Sequence, residues 1–449
     1  MAKARTQFVC QQCGATRTRW AGRCDNCGEW NSFVEQATEP SIEIGGNFKS
    51  SGTALTGTPV EKVGDQATTD RITTKIKDVD EVLGGGIVPA SVILLAGQPG
   101  IGKSTILTQI AHAVAIDEPV LYVSGEESAE QIKSRASRLG TMSKQLLLSS
   151  SVSADDIAAT IATAKYKLVI VDSIQTISTS AISSSPGSVS QVTNCLNLLS
   201  QVAKANNTSL IIVGHVTKEG SIAGPKLLEH LVDVVLNLEG DRYGGFKVLR
   251  AVKNRYGSTN EAGIFEMTDG GLTVVDNPSA AMLAERQATD GSVVLVTMEG
   301  TRPLLVEVQA LVNKTSFGYP KRTASGFDLN RLNLLIAVLE RRTSLNLADN
   351  DVYINVVGGI RLNDPAADLA VCMAIASSAR ERRLEPQVAV LGEVGLSGEI
   401  RRVPHIEKRC KEAAKLGFTT LIGPNYPKKP QNLAGVTDLR DALNTYLQK

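Results

Sequence analysis

Long apolar runs, aromatic residues and an excess of one charge are all scarce in this 449-residue chain. No stretch of about 18 apolar residues occurs, so we expect no membrane-spanning helix. Aromatic residues make up only 4% of the chain, which is compatible with α/β packing built on Ile, Val, Leu and Ala. The net charge is +1. Any role in nucleic-acid binding must therefore rest on local basic patches rather than on a global field.

The N-terminal stretch MAKARTQFVC is basic but lacks the apolar core of a secretion signal. We therefore expect a cytoplasmic protein without a membrane partner. The hydrophobic content of 42% is sufficient for substantial buried cores. The chain length predicts about three structural units.

Four of the seven cysteines, Cys10, Cys13, Cys24 and Cys27, lie close together in the stretch CQQCGATRTRWAGRCDNC. Two Cys-x-x-Cys pairs predict four thiolates around one tetrahedral, structural Zn²⁺. Zinc binding would supply much of the folding energy of so small a module. An accidental cluster or disulfides are the alternative, which the lack of a secretion signal disfavours. The sequence thus predicts a C4 zinc-finger module over residues 1–34.

The basic residues around Trp20 in this module could contact nucleic acid or a partner protein, and a solvated loop is an equally good interpretation. Residues 35–68 are polar, rich in Gly, Ser and Thr, and without a sustained period. This composition predicts a flexible linker.

The stretch SVILLAGQPGIGKST combines an apolar strand, a glycine-rich turn and the start of a helix. It contains the complete G-x-x-x-x-G-K-[ST] pattern of a phosphate-binding loop. Backbone N–H groups of such a loop surround the phosphates, its lysine reaches the β- and γ-phosphates, and its hydroxyl ligates Mg²⁺. The pattern predicts a nucleoside triphosphate site formed by Gly97, Gln98, Pro99, Gly100, Ile101, Gly102, Lys103, Ser104 and Thr105.

Three further apolar strands end in polar residues that suit hydrolysis of a triphosphate. KLVIVD ends in Asp172, the predicted carboxylate for Mg²⁺. PVLYVSGEES leads to Glu126 and Glu127, and we favour Glu126 as the general base for the attacking water. Alternatively, a glutamate here caps the following helix. SLIIVGHV contains His215, a candidate sensor of the γ-phosphate, or a histidine satisfied by local hydrogen bonds.

The stretch FKVLRAVKNRYG alternates like a strand and then breaks at its cations. The two-residue period of a strand places Lys253 and Arg255 on the same side. From this segment alone they face either water or an anion.

The order of these motifs resembles the RecA-type ATPase core. The stretches DEVLGGGIVPASVILLAGQPGIGKST, YVSGEES, VIVDSIQT, VGHVTKEG and AVKNRYG together resemble the bacterial RadA/Sms DNA-repair family, and the resemblance covers essentially the whole chain. It implies a DNA-dependent ATPase, a helicase-like motor that binds single-stranded DNA and drives branch migration and strand-exchange extension of branched recombination intermediates. The implied cofactors are ATP, Mg²⁺ and Zn²⁺.

The resemblance also implies a homo-hexameric ring with recombinase or helicase proteins as partners. Lys253 and Arg255 would then reach the γ-phosphate of ATP on the adjacent protomer, in the manner of an arginine finger. The family motif is KNRFG, and Tyr256 stands at the place of its phenylalanine. The loops STSAISSSPGSVSQ and TKEGSIAGPK, with Lys218 and Lys226, fall where RecA-type proteins contact DNA; ordinary solvent loops are the alternative.

From about residue 277 the sequence resembles the proteolytic domain of Lon, which uses a Ser-Lys dyad. Ala366 stands at the position of the serine, in NDPAADLA, and Glu407 at the position of the lysine, in VPHIEKR. Because a methyl group cannot form an acyl-enzyme, we expect no protease activity. The domain would build the ring, and basic stretches such as RERR and YPKKP would contact DNA or merely accompany assembly.

We therefore expect an α/β protein with a RecA-like ATPase domain over residues 69–276 and a Lon-protease-like domain over residues 277–449, behind the zinc module and linker. Two other functions remain open. One is a nucleotide-gated DNA-binding scaffold without translocation, and the other is an ATP-dependent protease.

Overall fold

The computed structural model describes residues 6–10, 16–25, 28, 30–37, 59, 70–215, 227–240, 245–316 and 318–447. The chain divides into two compact units. The first contains residues 1–69 and 180–183, and the second contains residues 70–179 and 184–449. Within the described ranges, no helix has the length and apolar character needed to cross a membrane.

The first unit contains a small antiparallel sheet. Its strands are β1 (Thr6–Cys10), β2 (Thr16–Arg17) and β3 (Phe33–Ala37). Strand β1 lies in the middle and pairs with both neighbours. Phe33 is buried together with Cys10 and Cys24, which form the core of this unit.

A nine-stranded sheet forms the first part of the second unit. Its strands are β4 (Val92–Gly97), β5 (Val120–Ser124), β6 (Leu146–Ser150), β7 (Leu168–Asp172), β8 (Ser209–His215), β9 (Val234–Gly240), β10 (Phe246–Asn254), β11 (Ala262–Thr268) and β12 (Gly271–Val274). The order is β12-β11-β10-β9-β4-β8-β7-β5-β6. Pairing is parallel from β9 to β6, and β10, β11 and β12 continue antiparallel.

Helices accompany this sheet: α1 (Lys77–Leu83), α2 (Lys103–Val114), α3 (Ala129–Arg138), α4 (Ala154–Thr163), α5 (Val189–Ala205) and α6 (Leu227–Leu231). Every residue of β4, β5 and β7 is buried. Such continuously apolar strands are typical of a parallel sheet covered on both faces. One core contains residues of α2, and the other contains residues of α4 and α5.

A seven-stranded sheet forms the second part of this unit. Its strands are β13 (Ser292–Glu299), β14 (Arg302–Lys314), β15 (Arg322–Ser325), β16 (Asn350–Val356), β17 (Val388–Val390), β20 (Thr420–Pro424) and β21 (Leu433–Val436), and a separate pair contains β18 (Glu393–Val394) and β19 (Ile400–Arg401). The order is β15-β16-β14-β13-β17-β20-β21. The helices are α7 (Pro278–Leu283), α8 (Leu329–Arg342), α9 (Ala367–Arg380), α10 (Ile406–Lys415) and α11 (Leu439–Tyr446).

The two large sheets share a hydrophobic core. Its members from the nine-stranded sheet are Phe246, Val248, Ala262 and Ile264, which pack with the apolar residues of the seven-stranded sheet. Helix α9 is central to that core, and all its residues from Ala367 to Ser378 are buried. The two parts of the second unit are therefore joined by buried apolar surface.

Charged groups reinforce this junction. Arg250 on β10 forms ion pairs with Glu239 on β9 and with Glu299 on β13. Arg302 on β14 lies 3.2 Å from the carboxylate of Asp78 on α1. Asp78 is 4% exposed and also accepts a backbone hydrogen bond, so the carboxylate of this pair is shielded from water, whereas the Arg302 side chain is 30% exposed.

Candidate active site

The phosphate-binding loop leads from strand β4 into helix α2. Gly100 and Gly102 have positive φ angles of 79° and 113°, a region that favours glycine. A Cβ added at position 102 would approach Met267 Cε to 2.8 Å. The backbone conformation explains why glycine is needed at position 102, and a side chain there would also displace the end of Met267.

Lys103 directs its ammonium group back across this loop. Its Nζ donates hydrogen bonds to the carbonyl oxygens of Gly97, at 2.8 Å, and Gln98, at 3.0 Å. Burial lowers the pKa of Lys103, and the nearby carboxylates of Asp172 and Glu126 oppose this shift. The loop thus holds a cation where the motif predicts one for the phosphates.

Asp172 lies at the end of β7 and is 5% exposed. Its Oδ2 accepts hydrogen bonds from Ser104 Oγ and from Tyr122 OH, both at 2.8 Å. Burial and the Asp172 carboxylate raise the pKa of Tyr122 well above its usual value, so the phenol remains a donor. A hydroxyl beside a carboxylate is an oxygen set that suits Mg²⁺. Ser104 and Asp172 are therefore the residues that would hold the ion.

Glu126 and Glu127 have different surroundings. Glu126 Oε1 accepts a 2.5 Å hydrogen bond from Ser173 Oγ, next to Asp172. Glu127 instead forms a two-pronged ion pair with Arg135 of α3, in which Nη1 lies 3.1 Å from Oε1. The carboxylate of Glu126 is thus directed toward the predicted metal and lysine site, whereas that of Glu127 is engaged by an arginine.

The helix cap is supplied by a third residue. Ser128 Oγ accepts a hydrogen bond from Gln131 N, and Gln131 Oε1 accepts one from Ser128 N, which together form a capping box. Neither glutamate is therefore needed as the N-cap of α3. This removes the structural alternative that the sequence left open for Glu126.

His215 is the last residue of β8. Its backbone is the partner of Gly97 in the parallel register of β8 and β4, so the histidine lies at the edge of the sheet where the phosphate-binding loop begins. Its side chain lies outside the part of the chain that the structure describes. The segment TKEGSIAGPK, with Lys218 and Lys226, also lies outside it.

Lys253 and Arg255 lie at the opposite edge of the sheet. Strand β10 runs antiparallel to β9, so its last residue, Asn254, pairs with Val234 at the beginning of β9. Val234 in turn pairs with Ile93 at the beginning of β4. The six residues of β4 therefore separate the cations from the phosphate-binding loop, a distance of about 17 Å at strand geometry.

Both cations contact the chain that runs from α6 to the start of β9. Lys253 Nζ donates to the carbonyl oxygens of Glu229, at 2.6 Å, and Val232, at 2.8 Å. Arg255 Nη1 donates to Asp233 Oδ1 at 3.1 Å, and the arginine side chain remains 54% exposed. Burial, together with the neighbouring Arg255, lowers the pKa of Lys253. The strand continues through Lys253 to Asn254, beyond the break expected from the sequence, with a register shift between Ala251 and Lys253.

Asp233 is the anion that holds Arg255, and the sequence did not identify it. It is 3% exposed and also accepts hydrogen bonds from Val92 N, at 3.0 Å, and from Lys204. We call residues 253–257 the cationic turn. Because Val92 begins the strand that leads to the phosphate-binding loop, Asp233 joins the base of that strand to the cationic turn.

The Lon-like dyad positions hold neither the serine nor the lysine. Ala366 is fully buried immediately before α9, and Glu407 is exposed on α10. The charged pair in this region is instead Arg409 and Asp364, whose side chains are 1% and 10% exposed and whose charged atoms are 2.7 Å apart. Burial favours a raised pKa for Asp364, but Arg409 and backbone N–H groups outweigh it and lower the pKa below its usual value.

The zinc module is described for two of its four predicted ligands. Cys10 and Cys24 are each 1% exposed and share a small core. Gly28 N donates to Cys24 O at 2.7 Å, and the φ angle of Gly28 is 77°. This tight turn fits a zinc knuckle. Cys13 and Cys27 lie outside the described residues, within which no group of three or more potential metal ligands occurs.

Three family models match this chain. Residues 8–35 match a rubredoxin metal binding domain, residues 58–221 match an AAA domain, and residues 334–426 match subunit ChlI of Mg-chelatase. The predicted fold class is confirmed: an α/β chain with a RecA-like P-loop ATPase core, an N-terminal zinc ribbon and a C-terminal Lon-like domain. The ATPase domain implies ATP as cofactor, and the zinc ribbon supports Zn²⁺.

Several relatives that match over nearly their full length share the same name. DNA repair protein RadA from Halalkalibacterium halodurans is 48% identical over 440 residues, which cover 97% of this chain and 95% of the relative. The protein of the same name from Streptococcus pyogenes serotype M1 is 49% identical over 99% of both chains. That from Bacillus subtilis is 48% identical over 100% of both. Similarity at this level over the full length shows that the chain belongs to the family of DNA repair protein RadA.

Proposed function

We propose that this protein is a DNA-dependent ATPase of DNA repair and homologous recombination. It binds single-stranded DNA and uses ATP hydrolysis to drive branch migration and strand-exchange extension. The observation that carries the proposal is the meeting of Lys103, Ser104, Asp172 and Glu126 at one edge of a parallel sheet. The DNA substrate rests on membership of the family.

The residues at this edge have separate roles in hydrolysis. Lys103 and the loop N–H groups bind the phosphates. Ser104 and Asp172 hold Mg²⁺, which neutralises charge on the phosphoryl oxygens. Glu126 orients and deprotonates the attacking water. His215 responds to the γ-phosphate, and its position beside the first residue of the phosphate-binding loop supports this role.

The two cations at the opposite edge act on a neighbouring protomer. A distance of about 17 Å along β4 exceeds what a lysine or arginine side chain can bridge, so Lys253 and Arg255 are too far from the phosphates bound by their own chain. A homo-hexameric ring with nucleotide at each subunit boundary would bring them to the next ATP. They then stabilise the transition-state charge in trans.

DNA contact is assigned to the loops after Asp172 and His215 and to basic surface on the Lon-like domain. Gln191 fixes the base of the first loop, because its Nε2 donates to Ser184 O at 2.9 Å and its Oε1 accepts from Thr179 N at 3.0 Å. On the Lon-like domain, Arg401 in the stretch EIRR, residues 399–402, is paired with Glu399 of the same stretch and with Glu393, so its charge is largely neutralised within the protein.

We also propose the domain limits 1–34, 35–68, 69–276 and 277–449, and recombinase or helicase proteins as partners. A nucleotide-gated scaffold without translocation is the alternative function. Protease activity is disfavoured by the methyl group of Ala366 and by the exposed carboxylate of Glu407. Degradation of casein by the purified protein would contradict this assignment.

The deciding experiment is steady-state ATP hydrolysis with and without single-stranded DNA at one fixed salt concentration. Salt is held constant because phosphate contacts depend steeply on ionic strength. Stimulation by DNA supports the proposal, and unchanged basal hydrolysis contradicts it. ATP-dependent strand displacement on a fork substrate then separates a motor from a scaffold.

A further inference from the structure

Arg71 is the second residue of the second unit and lies far in sequence from the cationic turn. Its side chain nevertheless reaches that turn, since Nη2 donates to the carbonyl oxygen of Tyr256 at 2.8 Å. The same guanidinium donates through Nη1 to the carbonyl oxygen of Leu83 at 2.9 Å. Arg71 thus joins the end of α1 to the turn that follows Arg255.

The cationic turn rests directly on the end of α1. Asn254 Nδ2 donates to the same Leu83 carbonyl, at 3.3 Å. Gly84, with a φ of 81°, ends the helix, and a Cβ at this position would lie 3.4 Å from Gly257 Cα. The two glycines allow the backbones to come together, and Arg71 closes the contact on its outer side.

An arginine suits this position for two reasons. The last carbonyl oxygens of a helix have no partner within the helix and favour a nearby cation. The guanidinium also presents several N–H donors in a fixed plane, so one side chain can serve two carbonyl oxygens on separate segments. A lysine at position 71 would keep the charge but lose the fixed geometry.

We propose that Arg71 is a positioning residue for the trans-acting cations. It fixes the backbone at Tyr256, the residue after Arg255, and so determines where Lys253 and Arg255 project from the protomer surface. This inference rests on the proposed trans function of these cations. The hydrogen bonds of Arg71 go to the end of α1 and to the turn, so its effect on hydrolysis passes through the turn.

The test combines Arg71→Ala with Arg255→Ala in a double-mutant cycle, measured as DNA-stimulated ATP hydrolysis. Arg71→Ala is expected to lower kcat about tenfold, since the hydrogen bond to Tyr256 and the bonds that anchor the same guanidinium to Leu83 and Gly86 are lost together. The KM for ATP is expected to remain within about twofold, because the cations act on the transition state. Because Lys253 remains to be positioned in the Arg255→Ala background, the Arg71 substitution should there lower the residual hydrolysis by clearly less than tenfold.

Two additional variants separate positioning from folding. Lys77→Ala removes an 80% exposed cation from the same helix, whose nearest ion-pair partner is Glu81 at 3.8 Å, and should leave kcat unchanged. Arg71→Lys retains the charge and should give an intermediate kcat even if Arg71→Ala folds poorly.

Each outcome is decisive. Wild-type turnover in Arg255→Ala would refute the trans function itself. If Arg255→Ala is defective but Arg71→Ala and Arg71→Lys are normal, the inference about Arg71 is wrong. It is equally wrong if the Arg71 and Arg255 effects multiply in the double variant, because that result indicates independent actions.

Discussion

Mixing two strongly defective variants tests whether the cations act between protomers. Lys103→Ala removes the phosphate-binding lysine but leaves the cationic turn intact, and Arg255→Ala does the reverse. The two positions lie at opposite edges of the sheet, so neither substitution touches the contacts of the other residue. In a mixed ring, an Arg255→Ala protomer supplies a working nucleotide loop and a Lys103→Ala neighbour supplies the finger.

The expected recovery follows from counting subunit boundaries. With equal amounts and random assembly, half of the loops are intact and half of these face an intact finger, so independent sites recover about a quarter of wild-type turnover. A finger that served its own chain would give no recovery. This value does not depend on the number of subunits.

A control places both substitutions on the same chain instead of on two different chains. The double variant carries both substitutions on one chain and is mixed in equal amounts with wild type. Action in trans again gives about a quarter of wild-type turnover, whereas action in cis gives about half. ATP hydrolysis is followed at fixed DNA and salt concentrations. The trans geometry would be refuted if the two single variants gave no recovery and the double variant mixed with wild type gave half of wild-type turnover.

Three further predictions concern single sites. Glu126→Gln should abolish hydrolysis while Glu127→Gln retains most of it, as measured by phosphate release with nucleotide binding as control; equal loss in both would contradict the assignment of the base. Lys253→Ala should lower turnover by about a thousandfold or more and leave the Kd of a non-hydrolysable ATP analogue unchanged, so loss of binding would disprove its role. Arg409→Met should destabilise the fold by about 3–5 kcal/mol, because it leaves a buried carboxylate unpaired. Since the pKa of Asp364 is lowered in the folded state, its stabilisation is present above about pH 4 and is lost as the pH falls further. Denaturant titrations at several pH values should show that the free energy of unfolding falls less at acid pH in Arg409→Met than in wild type. An unchanged pH profile would contradict this role of the pair.

The nucleotide site could be predicted from the sequence because its chemistry is local. A strand, a glycine-rich turn and the lysine follow one another directly, and the carboxyl ends of parallel strands necessarily meet at one edge. The sequence is less informative about which glutamate faces the site. That choice depends on Arg135 reaching Glu127 and on Ser173 reaching Glu126.

The residues that the sequence did not reveal are those whose partners lie far along the chain. Arg71 and Tyr256 are 185 residues apart, and nothing in the composition around either one indicates the contact. Arg409 lies two positions beyond Glu407, the position that the resemblance to Lon indicated, and its partner Asp364 lies three residues before a different helix, α9. Such pairs are set by tertiary packing, which motif spacing does not encode.

The hydrophobic core shared by the two large sheets determines how truncation experiments must be interpreted. A chain ending near residue 276 would expose Phe246, Val248 and Ile264, which pack with the seven-stranded sheet, and would leave Arg250 without Glu299. Phe246, Val248 and Arg250 lie on β10, the strand that ends in the cationic turn. A truncated protein that aggregates or fails to hydrolyse ATP would therefore report a damaged ATPase, and would give no information on what the C-terminal part does by itself. Point substitutions on the outer surface of that part are the appropriate genetic tool.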